Sequence, residues 1–107
     1  MIDSTEHCVV YCTCPEGDGA VALATALVEQ KLAACVNLVP GIHSIYRWQG
    51  AVERATEVLL IIKTRRDRLE ALAQGIRALH PYQVPEILAL PVTAGFVPYL
   101  QWLNESV

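Results

Sequence analysis

The sequence predicts an α+β domain whose elements succeed one another as β-α-β-β-α-β, with a helix at the end. Three observations carry that prediction. One β-rich run opens the chain, two long ones adjoin in its middle, and a last one follows the second amphipathic stretch. Segments with apolar residues at helical spacing separate the first run from the second and the third from the fourth. Gln49-Gly50 supplies a two-residue turn that joins the two long runs as a hairpin. The succession is the ferredoxin-like split βαβ arrangement.

His7 to Thr13 reads as the first strand, because Val9, Val10 and Tyr11 favour extended backbone and Pro15 stops the run. Asp18 is the expected N-cap of a helix through Lys31, with Ala24, Leu27, Val28 and Leu32 as its apolar stripe. Ala34 to Trp48 is β-rich, with a bulge or bend expected at Pro40-Gly41. Val52 to Thr64 follows, and its Val58-Leu59-Leu60-Ile61-Ile62 core suits a strand covered on both faces. Thr64-Arg65-Arg66-Asp67 resembles a capping box with Asp for Glu, opening a helix with Leu69, Leu72, Ile76 and Leu79 on one face. Pro81 ends that helix. Val84 to Val92 is the expected last strand, and Pro98 suits the first turn of a short helix carrying Leu100, Trp102 and Leu103.

With 107 residues the chain is one domain, 1–107, with a single core. It is 53% hydrophobic and only 18% charged, so apolar surface remains after one small core is filled. Subunit interfaces are where that surplus goes, and a homo-oligomer is expected. Both middle strands also exceed the usual length of about five or six residues. Their far ends, around Tyr46, Trp48, Val52 and Arg54, must project, and a projecting ribbon exposes edges that a neighbouring chain can pair. A net charge of −3 leaves no electrostatic footprint for nucleic acid, and Lys63, Arg65, Arg66 and Arg68 read as a solvated strand end and helix start. No stretch reads as a membrane span or a signal peptide. Cys8, Cys12, Cys14 and Cys35 are too few and too bunched for a disulfide scaffold, so a soluble protein of the reducing cytoplasm is expected.

The richest local signal is His80-Pro81-Tyr82-Gln83-Val84-Pro85-Glu86-Ile87. Its prolines disfavour helix at His80 and Val84, giving a stiff extended backbone able to present His80 and Glu86 in a fixed arrangement. Together with Lys31-Leu32-Ala33-Ala34-Cys35-Val36-Asn37, Tyr46-Arg47-Trp48-Gln49-Gly50 and Lys63-Thr64, that segment resembles the CutA divalent-cation tolerance family from about Val9 to Leu103. The resemblance implies a tight homotrimer with hairpins paired between subunits, and a cytoplasmic role in tolerance of heavy metals, copper above all. It also implies copper-ion ligands at Cys12 and His80, with Glu86 a nearby oxygen donor. Where some members carry a second histidine, this chain has Leu79.

Thiolate and imidazole suit soft and borderline cations. Cys14, two residues from Cys12 on one strand face with sulfurs within roughly 7 Å, is an alternative third donor. The competing reading makes Cys8, Cys12, Cys14 and Cys35 small core hydrophobes. His80 could also be a helix C-terminal histidine favoured by the dipole, and Glu86 a partner of Lys63 or Arg65. His43 reads as a loop residue and His7 as part of a frayed end. A Cys12–His80 nucleophile pair lacks an oxyanion-hole motif and a third orienting group, so no enzyme is expected. The other function classes are a PII-like trimeric small-ligand sensor, which would need Lys63 or Arg65 beside Cys12 and His80, and a scaffold without metal.

Overall fold

Alternation along the first long strand fixes which way the central sheet faces. In β2 (His7–Pro15) Cys8, Val10, Cys12 and Cys14 are buried, while Val9, Tyr11 and Thr13 are more exposed. In the computed structural model, which describes residues 1–107, this strand lies inside a four-stranded sheet. Its partners are β4 (Ala51–Arg65) on one side and β5 (Leu88–Pro91) on the other, with β3 (Cys35–Trp48) beyond β4, and every pairing is antiparallel. Helices α1 (Asp18–Glu29) and α2 (Leu69–Leu79) cover one face. There Leu23 and Leu27 of α1 and Leu72 and Ile76 of α2 meet Val10, Leu60 and Ile62 of the sheet in one core. No helix is long and apolar enough to cross a membrane.

The hairpin is as long as its composition requires. Its ladder runs from Cys35 opposite Lys63 to Trp48 opposite Ala51, with a register shift between Val39 and Ile42, where Pro40-Gly41 was expected to bend it. Gly41 has φ +73°. Gln49 and Gly50 take φ +50° and +82°, the paired left-handed residues of a tight hairpin turn. Ile45, Tyr46, Trp48 and Val52 stand exposed near the tip, which stretches the chain to 44 × 25 × 23 Å.

Several expected boundaries move, each for a tertiary reason. Asp18 is the first helical residue rather than the cap, which is Gly17 at φ +118°, and its carboxylate sits in the first turn. The helix stops at Glu29, not Lys31. Lys31 turns left-handed at φ +58°, and the bonds Lys31 N to Val28 O and Leu32 N to Leu27 O complete a Schellman motif. Thr64 caps nothing: it is a buried residue of β4 and its hydroxyl donates to Leu32 O at 2.7 Å. A 3₁₀ turn at Arg66–Arg68 intervenes before α2.

The last long strand is also shorter than Val84 to Val92. Only Leu88–Pro91 pairs, opposite Cys8 to Tyr11, and the stretch before it leaves the sheet. Pro85 has no N–H for a ladder there. Two-residue strands β1 (Ile2–Asp3) and β6 (Ala94–Gly95) pair with each other just before α3 (Val97–Ser106). His7 is not frayed. It is buried, bonded to the Ser4 hydroxyl and to Asn104 Oδ1 at 2.8 Å, and so ties the N-terminus to α3.

Candidate metal site and the adjoining cavity

Two strand residues and one helix end build the site. Cys12 and Cys14 point to the helix-covered face of β2, and both are essentially buried. Pro81 forces α2 to stop, so His80 leaves it extended at φ −77°, ψ 137°, while its N–H still bonds Ile76 O. The ring then reaches back to β2. One ligating atom from each of Cys12, Cys14 and His80 lies within 4.8 Å of the others. Cys14 Sγ is 3.6 Å from His80 Nε2.

Hydrogen bonds assign the tautomer. His80 Nε2 donates to Thr13 O at 2.8 Å, and Nδ1 accepts the Tyr82 N–H at 3.0 Å. The ring is therefore neutral with its proton on Nε2. The two thiols share unequally. Cys12 Sγ lies 3.9 Å from Thr13 O, and hydrogen bonding with Cys14, then burial, then the charges of Cys14, Glu86 and Glu57 push the Cys12 thiol up. The same hydrogen bonding lowers the Cys14 thiol against the opposing effect of burial. Cys14 is the more acidic thiol of the pair.

Glu86 stands apart from these three. It is exposed and lines a cavity of about 500 Å³, together with Thr13, Tyr46, Trp48, Glu57 and Tyr82. It pairs with neither Lys63, which contacts Asn37 and Cys35, nor Arg65, which pairs with Asp67 at 3.0 Å. A second cavity of about 230 Å³ borders Cys14 itself, lined by Pro15, Glu16, Gly19, Leu79 and Pro81 among others and by no basic residue. The site residue that sequence reasoning missed is Glu57. It is only 6% exposed, and its Oε2 accepts the Tyr82 hydroxyl at 2.9 Å. Its signal was a carboxylate placed directly against the apolar run Val58 to Ile62.

The Tyr82 hydroxyl is pushed up to about 12, first by burial and then by its bond to the Glu57 carboxylate. The folded chain therefore holds this proton after the unfolded chain, near 10, has lost it. Stability from this source is full below about pH 10 and is lost as pH rises toward about 12. Ultraviolet titration of tyrosinate, with Tyr82→Phe to identify the late step, should show Glu57→Gln bringing that step down. An unchanged late step in Glu57→Gln would remove the carboxylate as a cause.

Comparison with known proteins agrees with this architecture. Residues 8–106 match the family described as CutA1 divalent ion tolerance protein. The chain is 52% identical over 98 residues to Divalent-cation tolerance protein CutA of Thermus thermophilus, covering 92% of this chain and 95% of that one. Identity is also 52% over 98 residues with Protein CutA, chloroplastic, of Arabidopsis thaliana, where 92% of this chain spans only 54% of that protein's length. Among solved structures, CutA1 from Oryza sativa superposes with a TM-score of 0.94 at 47% identity, covering 97% of this chain and 95% of that one. The chain belongs to the CutA1 divalent ion tolerance family.

Proposed function

We propose that this protein binds a soft or borderline transition-metal ion, copper foremost, at Cys12, Cys14 and His80, and serves copper tolerance as a cytoplasmic homotrimer. The observation that carries the reading is the convergence of two sulfurs and one imidazole within 4.8 Å, all three residues buried. That donor set favours copper over hard cations. Cys14 takes the third position, and Glu86 is an outer oxygen donor that must move to reach it. Thiol ligands must be reduced to bind, which suits the cytoplasm.

Ligation has a defined local cost. Cys12 and Cys14 give up their protons, and His80 must release Thr13 O and shift its own proton to Nδ1. Nδ1 would then face the Tyr82 N–H, donor against donor, so the Tyr82 backbone must turn. Uptake is thus coupled to proton release and to movement of the segment after His80.

The trimer reading is supported by the sheet face opposite α1 and α2, which α3 meets only at the His7–Arg65 end. Tyr11 lies opposite both Leu88 and Ile61 across that face, and Val9 lies opposite Leu90. Tyr11, Leu88 and Leu90 are exposed in the single chain. The anion-sensor alternative loses its requirement, since Lys63 and Arg65 are engaged away from Cys12 and His80.

Calorimetric titration of reduced, anaerobic protein with Cu(I), Cu(II) and Zn(II) tests the metal reading. About one ion per subunit should bind with proton release, read from buffer-dependent heats. Cys12→Ser, Cys14→Ser and His80→Ala should each weaken binding more than about tenfold, and Glu86→Gln much less. Weak binding indifferent to the three substitutions would overturn it.

A further inference from the structure

A cavity of about 230 Å³ opens between the start of α1 and the end of α2, and Cys14 stands in its wall. Of the three converging donors, Cys14 alone lines it. Cys12 has no exposed surface, and both ring nitrogens of His80 are engaged, with Thr13 O and the Tyr82 N–H. Ala20 and Leu23, which share the lining with Cys14, are buried, whereas Glu16, Gly19 and Leu79 are exposed. The pocket thus has a dry floor that ends on a sulfur and a rim that meets water. It lies on the helix side of the sheet, opposite the face that the trimer reading buries.

We propose that this pocket is the port by which copper(I) enters, carried on a small thiol, and that Cys14 is the first residue to receive it. The proposal rests on the metal reading for its cargo. Copper(I) selects thiolate sulfur, so a sulfur at the end of a passage is a suited first acceptor. The volume falls below the lower bound of about 300 Å³ for small-ligand sites, which limits the carrier to a few heavy atoms. Glu16 is the one charged side chain in the lining, so a neutral or cationic thiol is admitted and an anionic one disfavoured. In the exchange the Cys14 sulfur bonds the ion as the carrier's sulfur lets go. The Cys14 proton leaves on the departing thiolate, and the ion keeps its oxidation state. Cys12 and His80 then close on it.

The test has a metal-free arm and a copper arm, both on the full reduced chain. Gly19→Leu fills the port, and the backbone accepts it, because a Cβ at Gly19 meets no atom within 4 Å. Leu79→Trp blocks the opposite wall and serves if thermal melts show the first variant misfolded. In the metal-free arm iodoacetamide alkylates the thiols and peptide mass spectrometry follows each one. Cys14 should react about tenfold faster than Cys12 or more, and both substitutions should slow Cys14 about tenfold while Cys35 keeps its rate. Iodoacetate, the anionic look-alike, should discriminate against Cys14, and Glu16→Gln should narrow that gap. In the copper arm stopped-flow ultraviolet absorbance follows copper(I) passing from its cysteamine complex to the protein. Both substitutions should slow uptake about tenfold and leave the calorimetric affinity within about twofold. Cys14 alkylated no faster than Cys12, or indifferent to both substitutions, would overturn the proposal. So would uptake rate and affinity falling together in folded variants, since these residues would then hold the ion. Absence of copper binding would sink the metal reading and the cargo with it, and the alkylation pattern tells that result from a closed port.

Discussion

Leu60→Ala is expected to lower the unfolding free energy by about 2–5 kcal/mol, measured by urea denaturation at fixed protein concentration. Leu60 has no exposed surface and stands in the middle of β4, opposite Cys12 on one side and Leu38 on the other. It belongs to the same buried core as Leu27, Leu72 and Ile76. Removing three carbons there strands a cavity among elements that are tied in register and cannot close over it. Val52→Ala, at the exposed hairpin tip, should change stability by no more than about 0.5 kcal/mol and serves as the reference. A cost below about 1 kcal/mol for Leu60→Ala would mean that the core lies elsewhere.

Ile61→Asp, one residue on, is expected to do something different: to shift the light-scattering mass from trimer to monomer while the subunit stays folded. Ile61 faces away from the helices, with Tyr11 and Asn37 as its cross-strand neighbours. In a lone subunit Ile61 is half-buried, so the new carboxylate keeps contact with water and costs about 1 kcal/mol. In an assembly that covers this face it is buried and unpaired, worth about 3–5 kcal/mol of destabilisation by analogy with broken buried pairs. A variant of unchanged mass, or a parent that is monomeric at micromolar concentration, would sink the trimer.

These two neighbours show where sequence reasoning had purchase. The unbroken run Val58 to Ile62 predicted burial on both faces; Val58, Leu60 and Ile62 are buried, whereas Leu59 and Ile61 keep part of their surface. Which face α1 and α2 cover and which they leave open is invisible in that run, because both faces read as apolar. The bend at Pro40-Gly41, the turn at Gln49-Gly50 and the stop at Pro81 were all legible, since each rests on the backbone preferences of one or two residues. Thr64 was misread for the converse reason. Its local pattern matched a cap, yet the Leu32 carbonyl freed at the end of α1 claims its hydroxyl across the fold.

The site divides along the same line. His80 and Cys12 stand out in the sequence, one beside Pro81 and the other in a strand rich in cysteine. By itself the sequence determined the order of elements, the hairpin and its turn, and the rigid His80 to Ile87 segment, because those follow from local dihedral preference and periodicity. Only the tertiary structure decided that Cys14 rather than Glu86 stands with Cys12 and His80, that Cys14 is the more acidic of the two thiols, and that Glu57 is buried without a cation. Such facts depend on which atoms meet after residues 12–14, 57 and 80–86 are brought together. Distance, desolvation and hydrogen bonding across sequence separations of that size have no local signature to read.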